Sequence, residues 1–405
     1  MGPGTTPRLR VVGGQLVTPA NTNDSQRELR DVTGADRRLV VAHVLSNLEI
    51  GAHAQLALDL ARAQRDDGDG VIVISLSSPS PAPMAGDFRA AGIPVYIVPL
   101  RGRLDTSLPV RLALLLRRRR VDVIHTHDPL ALPYGAVAGR MAGATVVHTE
   151  RGDRGVTSWP AWFRVRASRL LHGLVSISEQ GVRLANAWGV EGRTLLQCVA
   201  QAVDLDKFQP DDESRHQVRR QLGLDDNTWV IGTVGHLTKP KEHAMLLRAV
   251  APLLDDDTSL LVVGAGSEQA SLRRLADRLK IGNHVRFPGA RRDVPRMMAA
   301  MDVFALSSRD GILPLVVSEA MAAGLPIVAP AMGSIPDVVV DGEMGHTVRP
   351  GDEQALRESL NGLRSARDES KRMGRRARRA ARTRFSIHRM NREYTRIYRS
   401  LIDAG

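Results

Sequence analysis

Two successive series of short apolar runs alternate with segments of helical periodicity, and few folds accommodate that pattern. The first series begins at "RRLVVAHVLSN", a continuous apolar run of the kind expected for a parallel strand buried on both faces. A loop "LEIGAHA" leads into the helix "QLALDLARAQRD", then the strands "GVIVISL" and "GIPVYIVPL". The helix "RLALLLRRRR", strand "VDVIHTHD", helix "ALPYGAVAGRMAG" and strand "TVVHTERG" follow, then a helix around "SRLLHG" and the run "LVSISE". After "VDLDKFQPDDES" the pattern restarts. "TWVIGTVGHL", "SLLVVGAG", "HVRFPG", "VFALSS" and "LPIVAP" read as strands with helices between them. Each βαβα series predicts a parallel doubly wound sheet, so the chain is expected to be α/β with two Rossmann-like domains.

The expected boundaries are a mobile tail over residues 1–37, a first domain over 38–205, a second over 206–385, and a basic terminal helix over 386–405. The tail mixes Gly, Pro, Thr, Asn and Asp without sustained periodicity. A chain of 405 residues exceeds one ordinary core and suits two. Hydrophobic content of 43% with 25% charged residues is globular composition.

No apolar run approaches the roughly 18 residues needed to span a bilayer, and the start of the chain carries no apolar signal-peptide core. A single cysteine, Cys198, excludes an internal disulfide and a cysteine-based metal site, so a reducing cytoplasm is the expected compartment. The net charge of +12 concentrates in Arg117 to Arg120 and in Lys371 to Arg384. Such clusters attract phosphates of nucleic acid, anionic lipid or nucleotides, unless they are merely solvated helix faces of an arginine-rich chain. Nucleic acid is disfavoured as the main partner. Aromatic residues are only 3%, leaving few stacking platforms, and no zinc-knuckle, RRM or OB pattern occurs.

In open parallel sheets, ligands sit at the carboxyl ends of the strands. "SNLEIGAHA", "VGHLTKPKEH", "VVGAGSEQ" and "SSRDGILPLVVSEA" all fall at such ends. The last of these sets Asp310-Gly311 on a strand-to-helix loop and Glu319 on the first turn of the next helix. "VVGAGSE" lacks the third glycine of a dinucleotide turn, since Gln269 stands there. His125 and His127 in "HTHD" alternate onto one strand face, but without a third ligand they carry no metal assignment.

Taken in order, "HVLSNLEIG", "DVIHTHDPLALPYGAVAGRMAG", "VDLDKF", "GTVGHL", "LLVVGAG" and "PLVVSEAMAAGLPIVAPAMGSIPDVVVDGEMGHTVRPGD" resemble the family-four glycosyltransferases. The resemblance runs from about 39 to 402. It implies a GT-B fold, two Rossmann-like domains facing across a cleft, with the terminal helix returning to the first. It also implies retaining hexosyl transfer from a UDP- or GDP-sugar, without a metal or other cofactor. Acceptors of this kind are lipid-linked, polysaccharide or small-molecule, and the basic surface suits peripheral attachment to an anionic inner membrane face.

Residue roles follow from the same resemblance. Glu319 would hold the ribose hydroxyls, since a carboxylate accepts two hydrogen bonds from a cis-diol. Lys241 would neutralise the leaving diphosphate, with His236 beside it. Asp310, Gly311 and Ile312 would line the sugar, with Gly51 and Gly264 on the donor-facing loops. Arg151 would act on the acceptor side.

The chain also departs from the family pattern. Gly51-Ala52 followed by His53 stands where two glycines and a small residue are usual. His236 replaces an arginine, Glu242 a glycine, Arg151 a histidine, and Gln201-Ala202 an asparagine-glycine pair. Asp310 and Glu319 are nine residues apart where the family has eight. These changes support a second reading, a weakened or inactive homologue serving as a binding or scaffold subunit.

Overall fold

A computed structural model describes residues 10–12, 15–17, 38–77, 82–102, 104–151, 166–186, 194–309 and 315–404. Residues 1–39 form one unit and residues 40–405 another. In the first, β1 (Arg10–Val12) pairs antiparallel with β2 (Gln15–Val17), a hairpin that the tail's composition did not signal. The rest of the expected mobile tail lies outside the described residues.

The second unit holds two parallel sheets. One is seven-stranded, in the order β5-β4-β3-β6-β7-β8-β9. Its strands are β3 (Val40–Leu45), β4 (Gly70–Ser75), β5 (Val95–Ile97), β6 (Val123–Thr126), β7 (Thr145–Glu150), β8 (Gly173–Ser176) and β9 (Leu195–Cys198). The other is six-stranded, in the order β12-β11-β10-β13-β14-β15. It comprises β10 (Trp229–Val234), β11 (Thr258–Val263), β12 (Val285–Gly289), β13 (Val303–Ala305), β14 (Ile327–Pro330) and β15 (Gly345–Val348). Both orders are doubly wound, so each sheet reverses direction beside its first strand and opens a crevice at the carboxyl edge there.

Helices cover both faces of each sheet. In the first domain these are α1 (Ala52–Asp66), α2 (Ala85–Ala90), α3 (Leu108–Arg118), α4 (Ala131–Ala142) and α5 (Glu179–Asn186). Ala42, Val44, Ile72, Ile74 and Ile124 pack toward α3 and α4, whereas Leu45, Val71 and Val73 pack toward α1 and α2. That alternation explains the unbroken apolar strands: both faces are core. The second domain adds α6 (Asp212–Leu222), α7 (His243–Val250), α8 (Gln269–Arg278), α9 (Val294–Ala299), α10 (Leu315–Ala322), α11 (Ile335–Val338), α12 (Glu353–Ser365) and α13 (Arg367–Arg384).

One buried ion pair fixes α6. Arg219 is fully buried, and its guanidinium donates to the carbonyls of Ala300, Asp225, Asp226 and Thr228 and to Asp302 Oδ2 at 2.8 Å. The same carboxylate accepts from Val230 N and, through its other oxygen, from Arg215. Each nitrogen of the cation has an acceptor, which makes such a burial tolerable.

The chain passes between the domains twice, and the two passages are hydrogen-bonded, Val203 N donating to Phe385 O at 2.9 Å. After the second comes α14 (Ile387–Asp403), capped by Ser386 Oγ, which accepts from Arg389 N. Its inner face lies on the first domain. Asn391 donates to Asp67, Tyr394 OH meets Thr149 Oγ1 at 2.8 Å, and Tyr398 OH meets His125 Nδ1 at 2.6 Å.

Candidate functional site at the strand carboxyl edges

On the second sheet, β10 ends in the loop Gly235 to Thr238 and a single 3-10 turn, Lys239–Lys241, before α7. This turn is stitched to the loop after β13. Arg309 N donates to Pro240 O at 3.0 Å, and Ser307 Oγ donates to Lys241 O at 3.0 Å. Arg309 and Glu242 form an ion pair at 3.5 Å. Lys241 is half-buried here and His236 is exposed on the preceding loop. Glu242 itself has φ 52° and ψ 32°, the left-handed region where glycine is at ease and other residues are strained.

The adjoining loop after β11 comes so close that side chains are excluded. A Cβ on Gly264 (φ 146°) would lie 1.9 Å from Gly235 O, and one on Gly266 would lie 2.3 Å from Leu237 O. Gly264 is therefore required by backbone packing between two loops, whatever else it touches. Gly51 is different: it is exposed and extended, and a Cβ there would meet nothing within 4 Å.

Glu319 is the fifth residue of α10, in its second turn rather than the first. Burial, and then the neighbouring Asp59 carboxylate, push its pKa up to about 7. Asp59, on α1 of the first domain, is raised to about 6, again chiefly by burial, although Gln55 donates to it at 2.7 Å. Two half-buried carboxyls, one from each domain, are thus raised chiefly by burial, with the charge of Asp59 felt at Glu319. The sequence pointed to Glu319 alone. Asp59 sits on an ordinary amphipathic helix and carries no local signature. Asp310, Gly311 and Ile312 lie outside the described residues.

On the first sheet, Asp128 organises the crevice. Its carboxylate accepts from Ser46 N at 2.6 Å, in the loop after β3, and from Leu130 N and Ala131 N at the start of α4. Arg151, at the end of β7, donates through Nη1 to Gln201 Oε1 in the passage between the domains. Gln201 is buried, and its Nε2 has no hydrogen-bond partner among the described residues.

Beneath this edge His125 and His127 are joined by a third buried histidine, His43, which pairs directly with His125 across β3 and β6. His43 Nε2 meets Gln64 Oε1 at 2.8 Å and His43 Nδ1 meets His127 Nε2 at 2.8 Å. His125 is held between Tyr398 OH and Thr149 Oγ1, the latter at 2.7 Å. Two nitrogens bound to one tetrahedral zinc at about 2 Å keep about 3.3 Å between them. Both ring nitrogens of His43 and His125 and one of His127 are engaged in a hydrogen-bonded array, while His127 Nδ1 has no hydrogen-bond partner among the described residues. Burial holds all three imidazoles neutral, with His43 lowered to about 4.

Two family models match the chain: "Glycosyltransferase Family 4" over residues 53–207 and "Glycosyl transferases group 1" over residues 214–380. The chain belongs to the family-four-type GT-B glycosyltransferases. Among curated relatives, a D-inositol 3-phosphate glycosyltransferase of Mycobacterium sp. is 37% identical over 288 residues, 65% of this chain and 63% of that protein. A GDP-mannose-dependent α-(1-6)-phosphatidylinositol monomannoside mannosyltransferase of Mycolicibacterium smegmatis is 33% identical over 45% of this chain and 50% of its own. The chain thus spans between half and two thirds of the length of these relatives. In structure it resembles Anabaena Alr3699/HepE in complex with UDP, with a TM-score of 0.80 and 22% identity over 89% of this chain and 100% of that one. A glycosyltransferase from Rickettsia africae gives 0.79 at 18% identity over 91% of this chain and 100% of that one. At these identities the likeness establishes the GT-B fold.

Within this family, two of the departures acquire partners. Arg151 and Gln201 replace residues from separate motifs, and they contact each other. Glu242, in the place of a glycine, is paired with Arg309, so its charge does not stand alone beside the loop after β10.

Proposed function

We propose that this glycosyltransferase moves a hexosyl group from a UDP- or GDP-sugar to a lipid-linked, glycan or small-molecule acceptor, with retention and without a metal ion. The observation that carries this reading is the stitching of the Lys239–Lys241 turn to the Ser307–Arg309 loop. It fixes Lys241 relative to the segment that leads into α10 and Glu319. A cation held in place costs little reorganisation when diphosphate charge develops in the transition state, which is what a metal would otherwise supply. Glu319 as a carboxylate accepts the ribose diol, and Asp310, Gly311 and Ile312 contact the sugar, with Gly51, Gly264 and His236 around the diphosphate. Arg151, braced by Gln201, faces the acceptor. The names of the mycobacterial relatives, which specify inositol phosphate and phosphatidylinositol mannoside, favour an anionic acceptor for that arginine.

The test is release of free UDP or GDP from their hexose conjugates in the presence of inositol phosphate and of lipid-linked acceptors, with a chelator throughout. Transfer that persists in chelator and falls about 10²-fold or more in Lys241→Ala supports the reading. Turnover that requires a divalent ion contradicts it. A second reading, a non-catalytic binding subunit, is favoured by His236 at the arginine position; turnover absent from the natural chain and from His236→Arg would establish it.

A further inference from the structure

The arginines of the second domain differ in how fully their guanidinium groups are satisfied. Each nitrogen of Arg219 has an acceptor, Arg291 meets both oxygens of Asp293 at 2.8 and 2.7 Å, and Arg372 meets Glu369 at 2.6 Å. Arg309 is different. Its guanidinium reaches Glu242 Oε2 through Nε at 3.5 Å, well beyond the roughly 2.7–2.9 Å of a good charge-assisted bond. Among the described residues its two terminal nitrogens have no hydrogen-bond partner, and 58% of the side chain is exposed.

The backbone that carries this group is nonetheless fixed. Arg309 N donates to Pro240 O at 3.0 Å, Ser307 Oγ to Lys241 O at 3.0 Å and Ser308 Oγ to Pro240 O at 3.5 Å. Three successive residues are thus tied to the Lys239–Lys241 turn. The guanidinium lies against Gly351 in the loop after β15, where an added Cβ would stand 2.5 Å from Arg309 Nη2. Gly351 has φ 81°, a left-handed position that glycine takes at no steric cost, and its bare Cα leaves the guanidinium room. The cation therefore sits among three loops at the carboxyl edge of the second sheet, where ligands of such sheets bind. From Gly235 to Glu242 the chain carries His236, Lys239 and Lys241 but no arginine. A lysine meets phosphate as a point charge, whereas a guanidinium fork meets two of its oxygens at once.

We infer that Arg309 is a phosphate-binding residue of the donor site: when a nucleoside diphosphate arrives, its guanidinium leaves the long contact with Glu242 for two oxygens of the phosphate distal to the nucleoside. Glu242 holds the cation in place while the site is empty. The exchange costs little, because an ion pair this long and this exposed is weak. The inference rests on the reading above that the Lys239–Lys241 turn holds the diphosphate; it adds a second cation and the segment that delivers it.

Calorimetric titration of the full chain with UDP and UMP, and with GDP and GMP, tests it. The natural chain is expected to bind the diphosphate of one pair. Arg309→Ala should weaken that binding about tenfold or more while leaving the monophosphate nearly unchanged. Arg309→Lys, which keeps the charge without the fork, should fall between the two. Glu242→Gln separates contact with phosphate from bracing of the loop. It releases an arginine that meets phosphate, so diphosphate binding holds or strengthens; it breaks an ion pair that merely shapes the loop, so binding weakens as in Arg309→Ala. Unchanged unliganded melts verify that the variants fold. Full diphosphate affinity in Arg309→Ala, equal losses for diphosphate and monophosphate, or weakening by Glu242→Gln overturns the inference. Diphosphate binding that is lost in Lys241→Ala but kept in Arg309→Ala leaves the donor site standing and refutes the role of Arg309 alone. A natural chain that binds no nucleotide refutes both.

Discussion

Glu242 occupies a left-handed backbone position after the Lys239–Lys241 turn, where a side chain costs about 1 kcal/mol relative to glycine. Its ion pair with Arg309 is partly exposed and returns less than about 1 kcal/mol. Glu242→Gly should therefore leave stability unchanged or slightly raised while tightening nucleoside diphosphate binding, because a negative charge leaves the loop proposed to hold the diphosphate. Calorimetric titration with UDP and GDP checks this; weaker binding would show that the ion pair shapes the loop. Glu319 makes the second prediction. Its folded pKa of about 7 lies above the ordinary glutamate value, so the native state holds more protons than the unfolded state between about pH 4.5 and 7. Native stability carried by this group consequently falls as pH rises through that window, by about 1–2 kcal/mol after allowance for partial solvation. Glu319→Gln should remove that slope. Nucleotide binding runs the other way, strengthening from pH 6 to 8 as the carboxylate forms, and losing that dependence in Glu319→Gln. Lys241 and Glu319 were singled out from the sequence because they stand in ordered local motifs. Asp59, Arg309 and the Arg151–Gln201 contact were not, since each depends on segments tens to hundreds of residues apart.

Among the elements, α14 and the histidine array make one assembly: Tyr394 and Tyr398 reach from the helix to Thr149 and His125, and His43 links onward to Gln64. The imidazoles are neutral when folded and have depressed pKa values, so the unfolded chain binds more protons between about pH 4 and 6.5. Stability should rise with pH across that window and be lost on acidification through it. The melting temperature followed from pH 7 to 4 tests this, with His43→Gln expected to flatten the curve. Arg219 supplies a sharper prediction. Arg219→Met leaves four carbonyls without their buried donor and Asp302 with one donor fewer, and should cost about 3–5 kcal/mol in chemical denaturation. The strands of unbroken Val, Ile and Leu were read from the sequence because both faces bury. β9, with its partly exposed "LLQC", and β15, "GHTV", went unread: they are four-residue edge strands whose pattern is too short and too polar to stand apart from loop. The β1–β2 hairpin was missed for the same reason of length, three residues per strand.

At the scale of the molecule, two sheets of the same winding order present their first-strand crevices, and the sequence anticipated that through its restart near "TWVIGTVGHL". It could not show that the charge of Asp59 in one domain is felt at Glu319 in the other, since that relation belongs to the tertiary arrangement alone. With both carboxyls raised toward neutrality by burial, a nucleotide whose ribose donates to Glu319 would satisfy a group that otherwise remains desolvated. The central claim is a working donor site, and the most direct measurement is a thermal-shift series with UDP, GDP, ADP and their hexose conjugates on the natural chain, Lys241→Ala and Glu319→Ala. A nucleotide at about 100 times its dissociation constant adds roughly 2.7 kcal/mol, a resolvable rise in melting temperature. The account predicts that UDP or GDP, with its sugar conjugate, produces that rise, and that both substitutions abolish it while leaving the unliganded melt nearly unchanged. No shift with any nucleotide, or a shift indifferent to Lys241 and Glu319, would contradict it.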